Sequence, residues 1–224
     1  MAVLHHYAFC PHSRFIRLAM AEMGLASDTA EARPWEREQS FLLLNPSGLT
    51  PVYVDDEMTI PGASVIAEYL DETRGLELNG RRLLPSEPSA RVEVRRLLEW
   101  FNGKLFEEVT GYLVNEKIVK RYGGGSPDAG AIRAARANLR FHLRYIGYLS
   151  GTRNWLAGDT MTYADLAAAA HLSCADYLGD VPWDEDETAK EWYARVKSRP
   201  AFRAILADRL AGMAPPDHYA DLDF

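Results

Sequence analysis

Thr59-Ile60-Pro61-Gly62-Ala63-Ser64-Val65-Ile66-Ala67-Glu68-Tyr69-Leu70 changes its periodicity half-way, and that change decides the fold. Residues 58–60 suit a strand, Pro61-Gly62 interrupts it, and residues 65–72 carry apolar groups at helical spacing. Just upstream, residues 51–54 and 58–60 flank Asp55-Asp56-Glu57, the pattern of a hairpin. Further back, residues 3–9 read as a strand and residues 13–23 as a helix. That helix offers Ile16, Leu18, Ala19 and Met23 to a core and has Gly24 as its stop. Residues 29–32 suit a second strand. Residues 41–44 suit a short helical turn ending at Asn45-Pro46-Ser47-Gly48. The order β-α-β then β-β-α predicts a small mixed sheet covered by helices over residues 1–75.

Beyond a linker over residues 76–88, which holds the turn-prone Asn79-Gly80, the chain reads as helix. Val94, Leu97, Leu98, Phe101 and Leu105 follow a 3.6-residue period, as do Ile132, Ala135, Leu139, Leu143 and Ile146. Gly123-Gly124-Gly125-Ser126-Pro127 separates the two helices and is expected to be mobile. Thr162-Tyr163-Ala164-Asp165 has the spacing of a helix cap, with the following Ala167–Ala170 run suited to close packing in a bundle. An all-helical domain over 89–212 and an acidic-aromatic tail over 213–224 complete the expected organisation.

The 224 residues carry 25 Lys+Arg against 32 Asp+Glu, a net charge of −7. An acidic balance disfavours general nucleic-acid binding, which depends on phosphate neutralisation. Two cysteines, Cys10 and Cys174, argue against a disulfide framework and for a reducing compartment. No stretch approaches the ~18 apolar residues of a membrane span, and the N-terminus has no basic, apolar leader pattern. A cytoplasmic protein without membrane insertion is expected. No pair of the six histidines has helical metal-ligand spacing, so no metal site is expected. Gly123-Gly124-Gly125 lacks the Lys and preceding strand of a phosphate loop. His5 and His6 would point to opposite faces of a strand, and His171 among alanines suits a satisfied core residue. Cys174, inside a helix, suits a packed small hydrophobe.

Phe9-Cys10-Pro11-His12-Ser13-Arg14 is the sharpest chemical motif. A thiol at the mouth of a helix meets unpaired N–H groups and the positive dipole end, both of which favour thiolate. With Thr50-Pro51-Val52, the Ile66-x-Glu68-Tyr69-Leu70 helix and Gly158-Asp159 ahead of Thr162-x-x-Asp165, this motif resembles the glutathione transferase family over essentially the whole chain. The resemblance implies an α+β thioredoxin-like N-terminal domain, an all-α C-terminal domain and a homodimer. It implies a cis Pro51, with the backbone of Val52 facing the cysteinyl part of glutathione. It also implies that Cys10 would be the nucleophile, with Ser13 where a resolving Cys would stand, so that only monothiol chemistry is available.

The family usually places an acid or amide and then Ser before that helix, and both hold the γ-glutamyl carboxylate. Here the positions are Gly62 and Ala63, and Ala63 lies twelve residues after Pro51, the usual place of the Ser. Ser64 is not a simple substitute, because one helical residue turns the side chain by about 100°. The lost hydrogen bonds correspond to a loss of about ten- to a thousandfold in glutathione affinity. Helix-start N–H groups still attract carboxylates, and Arg14 or a partner subunit is a possible replacement clamp. Cys10 is thus either an inherited cap or a working nucleophile, and glutathione is a cofactor only in the second case.

The Gly62-Ala63 departure, the first-helix motif and the tail Met213-Ala-Pro-Pro-Asp-His-Tyr-Ala-Asp-Leu-Asp-Phe224 together resemble a bacterial division subgroup of the family. That resemblance implies a non-catalytic protein that binds filaments of the tubulin-like FtsZ at the division site and alters their curvature or bundling. Candidate contacts are Trp35, the basic-aromatic segment with Glu116, Lys117 and Arg121, and the terminal Leu222, Asp223 and Phe224. Arg133, Arg136, Arg140 and Arg144 fall on one helix stripe, either a solvated face or a seat for carboxylates. Asp184–Glu187 suits the negative start of a helix.

Overall fold

The computed structural model describes residues 2–56, 58–78 and 82–222. Its N-terminal unit runs β1 (Val3–His6), α1 (Pro11–Glu22), β2 (Asp28–Glu31), α2 (Gln39–Leu44), β3 (Val52–Asp55), β4 (Met58–Pro61) and α3 (Ala63–Arg74). The sheet order is β2-β1-β3-β4, with β1 and β2 parallel and the other pairs antiparallel. β1 ends earlier than its apolar pattern suggests, because the chain turns at Tyr7 and Cys10 N–H donates to the Tyr7 carbonyl at 3.0 Å. α1 begins earlier, at Pro11, whose fixed φ and missing N–H suit the first helical position. The hairpin between β3 and β4 forms in register Val52↔Pro61 to Asp55↔Met58, while Glu57 of its turn lies outside the described residues.

The helical part begins with α4 (Pro88–Glu99), which continues through π-helical turns over Trp100–Thr110 into α5 (Gly111–Val114). A second π-helical stretch, Asn115–Val119, leads to α6 (Lys120–Tyr122). The Gly111 N–H donates to the Phe106 carbonyl five residues back, the wide-turn pattern. Glycine is required there, since a Cβ would sit 2.8 Å from that carbonyl oxygen. The expected apolar stripe Val94, Leu97, Leu98, Phe101 and Leu105 is buried.

α7 (Ala129–Thr152), α8 (Tyr163–Tyr177), α9 (Glu187–Lys197) and α10 (Arg203–Leu206) follow. Every residue of α8 is buried, so its Ala167–Ala170 run lets neighbouring backbones approach on all sides. Its cap forms as the spacing predicts: Thr162 Oγ1 accepts from Ala164 N–H, and Asp165 accepts from Thr162 N–H at 2.9 Å. Asp165 also accepts from Leu156 N–H and the Trp192 indole, tying three segments to one carboxylate. One apolar core runs from Leu4, Phe15 and Ile60 through Phe101 and Leu143 to Tyr193 and Ile205, so both units share it. Residues between the units are anchored: Leu83 and Leu84 are buried, and Arg82 forms two bonds to the buried Asp71. Asn79-Gly80 lies outside the described residues.

Candidate functional site

A cleft of about 340 Å³ opens between the two units, beside the start of α1. Tyr7, Cys10, His12, Trp35 and Thr50 line it from the N-terminal side, with Phe106, Val114 and Val119 opposite. Cys10 is the N-cap residue of α1, in extended conformation, and its Sγ lies 3.6 Å from the Thr50 carbonyl oxygen, to which the thiol donates. Burial alone pushes this thiol up. The His12 hydrogen bond and charge, with Thr50 and Ser13 nearby, outweigh it and bring the thiol down to about 7.

His12 directly follows Pro11, the first residue of α1. Its Nε2 lies 2.8 Å from the Asn102 carbonyl oxygen. A carbonyl only accepts, so Nε2 carries a proton and Nδ1 is the nitrogen left able to accept. Burial pulls the imidazole pKa down, but the bond to Cys10 outweighs this and raises it. The ring is wedged edge-on against Phe106 at 4.6 Å and His171 at 5.3 Å. His171 is a satisfied core residue, as expected, bonded to Thr110 Oγ1 at 2.8 Å and Asn102 Oδ1 at 3.2 Å, and burial holds it neutral. Among the described residues, two hydroxyls in the cleft wall, Thr50 Oγ1 and Tyr7 Oη, meet no partner at hydrogen-bond distance, with Cys10 the polar neighbour of the first and Tyr122 of the second.

At the two positions where a carboxylate clamp was expected, only backbone polar groups are present. Gly62, at φ +91°, precedes α3 and supplies no side-chain cap; Ala63 is buried and Ser64 is exposed. The Thr50–Pro51 bond is cis. Val52 is fully buried inside β3, in register with His5 on one side and Pro61 on the other, and Thr50 is the residue of this turn that lines the cleft. Ser13 is also fully buried, with its Oγ accepting from Tyr7 N–H at 3.4 Å.

Arg14 is no replacement clamp. It is completely buried between the units, bonded to the Ala8 carbonyl (2.7 Å), Ser173 Oγ (2.9 Å), Tyr219 Oη (3.3 Å) and Asp208 (3.3 Å). Cys174 donates to the Phe9 carbonyl, and burial pushes its thiol up to about 11.

The predicted partner contacts are redistributed. Trp35 is half-buried, edge-on to Tyr7 at 4.8 Å and stacked on Tyr122 at 5.4 Å, so it bridges the two units at the cleft mouth. Glu116 is buried, contrary to its assignment as a contact: it accepts from Asp128 N–H (2.7 Å), Lys120 Nζ (2.5 Å) and Asn115 Nδ2 (3.0 Å), and so tethers the far end of the glycine loop. Lys117 is likewise engaged, by Asp180 at 2.7 Å and the Leu178 carbonyl at 3.1 Å. Arg121 donates to the Gly212 carbonyl at 2.9 Å. Arg136 and Arg140 of the α7 stripe pair with Asp180 and Glu185. The tail packs back through Tyr219, fully buried, and through His218, whose Nε2 lies 3.0 Å from Asp176. Leu222 is exposed, and Asp223 and Phe224 lie outside the described residues.

His12 was within the quoted motif, and its position after Cys-Pro was a usable signal. Asn102 and Phe106 had none, because the π-helical register decides which residues of that helix face the cleft.

The chain matches the model of the glutathione S-transferase N-terminal domain over residues 4–80 and that of the C-terminal domain over 130–200. It is 48% identical to FtsZ-localized protein A of Caulobacter vibrioides, over 99% of this chain and 97% of that protein. Among solved structures, a glutathione S-transferase from Sinorhizobium meliloti superposes with TM-score 0.98 at 50% identity, covering all of both chains. FzlA from C. crescentus superposes with TM-score 0.93 at 47% identity, covering 100% of this chain and 99% of that one. With both family domains matched, and an end-to-end relative close to half identical, this chain belongs to the glutathione S-transferase family.

Proposed function

We propose that this chain is a filament-associated member of its family, a protein that binds FtsZ filaments at the bacterial division site and alters their bundling or curvature. The observation that carries the reading is the end-to-end identity of 48% with a relative named for its localisation with FtsZ. The clamp at Gly62-Ala63 supports it, since the side chains that would hold the glutathione carboxylate are replaced by hydrogen and methyl. Net charge −7 disfavours nucleic acid as the partner, and no described helix is long and apolar enough to cross a membrane.

Association into a homodimer supplies the bending or bundling, because two identical faces engage neighbouring subunits at a raised effective concentration. Val65 on α3 and Val92 on α4 stand exposed on helices joined by ion pairs from Arg91 and Arg95 to Glu68, a surface suited to the second copy. The filament contact involves the Trp35 edge and the exposed tail around Leu222. Glu116, Lys117 and Arg121 act behind that surface, holding the glycine loop and the 212–213 turn in place.

Co-sedimentation of the purified protein with polymerised FtsZ, with glutathione calorimetry on the same sample, tests the reading. Co-pelleting with no heat from glutathione is expected. Glutathione binding without co-pelleting would overturn it in favour of a glutathione-dependent transferase or thiol reductase using Cys10. That second reading is supported by the Cys10–His12 pair and by the 50%-identical relative described as a transferase.

A further inference from the structure

We propose that the outward face of α7 is a docking surface for an acidic amphipathic helix of another protein. The inference goes beyond filament binding and does not rest on it.

The surface follows from helical geometry. At about 100° per residue, Arg133, Ala137, Arg140, Phe141, Arg144 and Tyr148 fall within an arc of about 100° along α7. All six are exposed, Phe141 at 51% and Tyr148 at 66%. Arg133, Ala137, Arg140 and Arg144 are spaced by four, three and four residues, and so are Ala137, Phe141, Arg144 and Tyr148. That is the spacing by which one helix lies along another. The stripe runs for about 22 Å, roughly four turns. The opposite side of α7, with Ala135, Leu139, Leu143 and Ile146, packs into the core, so the outward face takes no part in holding its own chain together.

Charge selects the occupant. The 24 residues of α7 hold four arginines and no Asp or Glu, in a chain of net charge −7. Carboxylates of neighbouring elements leave this stripe with cations to spare. Arg136, at its edge, shares the buried Asp180 with Lys117, two cations on one carboxylate. Arg140 pairs with Glu185, but both side chains are nearly half exposed, so the pair is weak and open to exchange. Among the described residues, Arg133 and Arg144 form no ion pair or hydrogen bond, with Asp128 at the start of α7 within electrostatic reach of Arg133. Guanidinium forks bind carboxylates in two-pronged fashion. Phe141 and Tyr148 add the aromatic area on which binding energy concentrates, and Ala137 leaves room for a partner backbone. The stripe is also narrow. Glu108, bonded to His142, borders one flank and Glu185 the other. A flat anionic membrane would press its headgroups on both acids, whereas a single helix about 10 Å across fits between them. A helix with carboxylates and apolar groups on one face, laid into this stripe, meets both its arginines and its aromatic rings.

The test is fluorescence anisotropy of the full chain with a labelled helical peptide, three repeats of Glu-Ile-Ala-Ala-Leu-Glu-Ala, and with its Lys-for-Glu counterpart as control. Saturable binding of the acidic peptide is expected, weakened by salt, with none of the basic one. Arg133→Glu combined with Arg144→Glu should weaken it about tenfold or more, and Phe141→Ala about threefold. Arg74→Glu combined with Arg203→Glu changes the net charge equally at two exposed positions off the stripe and should leave binding unchanged. No binding of the acidic peptide would overturn the proposal, as would equal weakening in the two double variants. Pelleting with phosphatidylglycerol vesicles in place of peptide binding would assign the face to a membrane and overturn it. So would a shift of the stripe variant alone from dimer to monomer in analytical ultracentrifugation, which would assign the face to a second copy of the chain.

Discussion

Replacing Arg14 by Met removes a fully buried guanidinium that joins α1 to α8, to the 208 turn and to the tail. Breaking a buried ion pair costs about 3–5 kcal/mol when it strands the opposite charge. Here the stranding is partial. Asp208 keeps Arg17, whose guanidinium reaches both carboxylate oxygens at 2.7 and 3.0 Å. Ser173 Oγ still donates to the Ala170 carbonyl at 2.7 Å, and Tyr219 Oη to the Ile205 carbonyl at 3.2 Å. The Ala8 carbonyl, held by Nε at 2.7 Å, loses that donor inside the protein, a cost of about 1–3 kcal/mol. The stacking of the guanidinium over the Phe9 ring, at 4.5 Å, is largely kept by the thioether. These terms place Arg14→Met at about 3 kcal/mol of lost stability. Arg17→Met, at a side chain 14% exposed, should cost only about 1 kcal/mol. Urea unfolding followed by both circular dichroism and tryptophan fluorescence measures the two variants and checks that the transition stays cooperative. If Arg14→Met costs less than Arg17→Met, the joint is not what holds the units together and the reasoning fails.

Three further outcomes are expected. Hydrogen bonds from Arg96, assisted by Arg153, hold the Glu93 carboxyl down at about 2, against the ordinary 4.5. Its folded pKa is depressed, so its contribution is present above pH 4.5 and is lost as pH falls toward 2. The melting temperature of Glu93→Gln should therefore fall less than that of wild type between pH 5 and pH 3, and equal slopes would contradict the pairing. Gly111→Ala forces a Cβ against the Phe106 carbonyl, so it should lose about 1–3 kcal/mol and change the iodoacetamide rate at Cys10. An unchanged denaturation midpoint would mean that the wide-turn register is not required. Glu116→Gln keeps an acceptor for Asp128 N–H and should retain FtsZ co-sedimentation, whereas Glu116→Ala should lose it and speed hydrogen exchange at Asp128. Loss in both variants would instead make the Glu116 charge itself the contact.

The amino-acid sequence by itself determined the order of elements, the α8 cap, the apolar stripes and the family. Each of these is written locally. Periods of 2 and 3.6, a proline after Cys10 and Thr-x-x-Asp spacing act over a few residues. Gly62-Ala63 shows from the sequence alone that these two positions carry no hydrogen-bonding side chain. Only the tertiary structure decided how charged and polar groups are spent. Arg14 looked available for a ligand until Ser173, Asp208 and Tyr219, about 160–205 residues away in sequence, closed around it. Glu116 and Lys117 looked like a docking face until Asp128 and Asp180 met them. The His12 tautomer is set because the Asn102 carbonyl, 90 residues on, accepts a hydrogen bond from its Nε2. Burial cost drives all three: a charge or donor leaving water needs a counterpart, and folding can draw that counterpart from any distance along the chain.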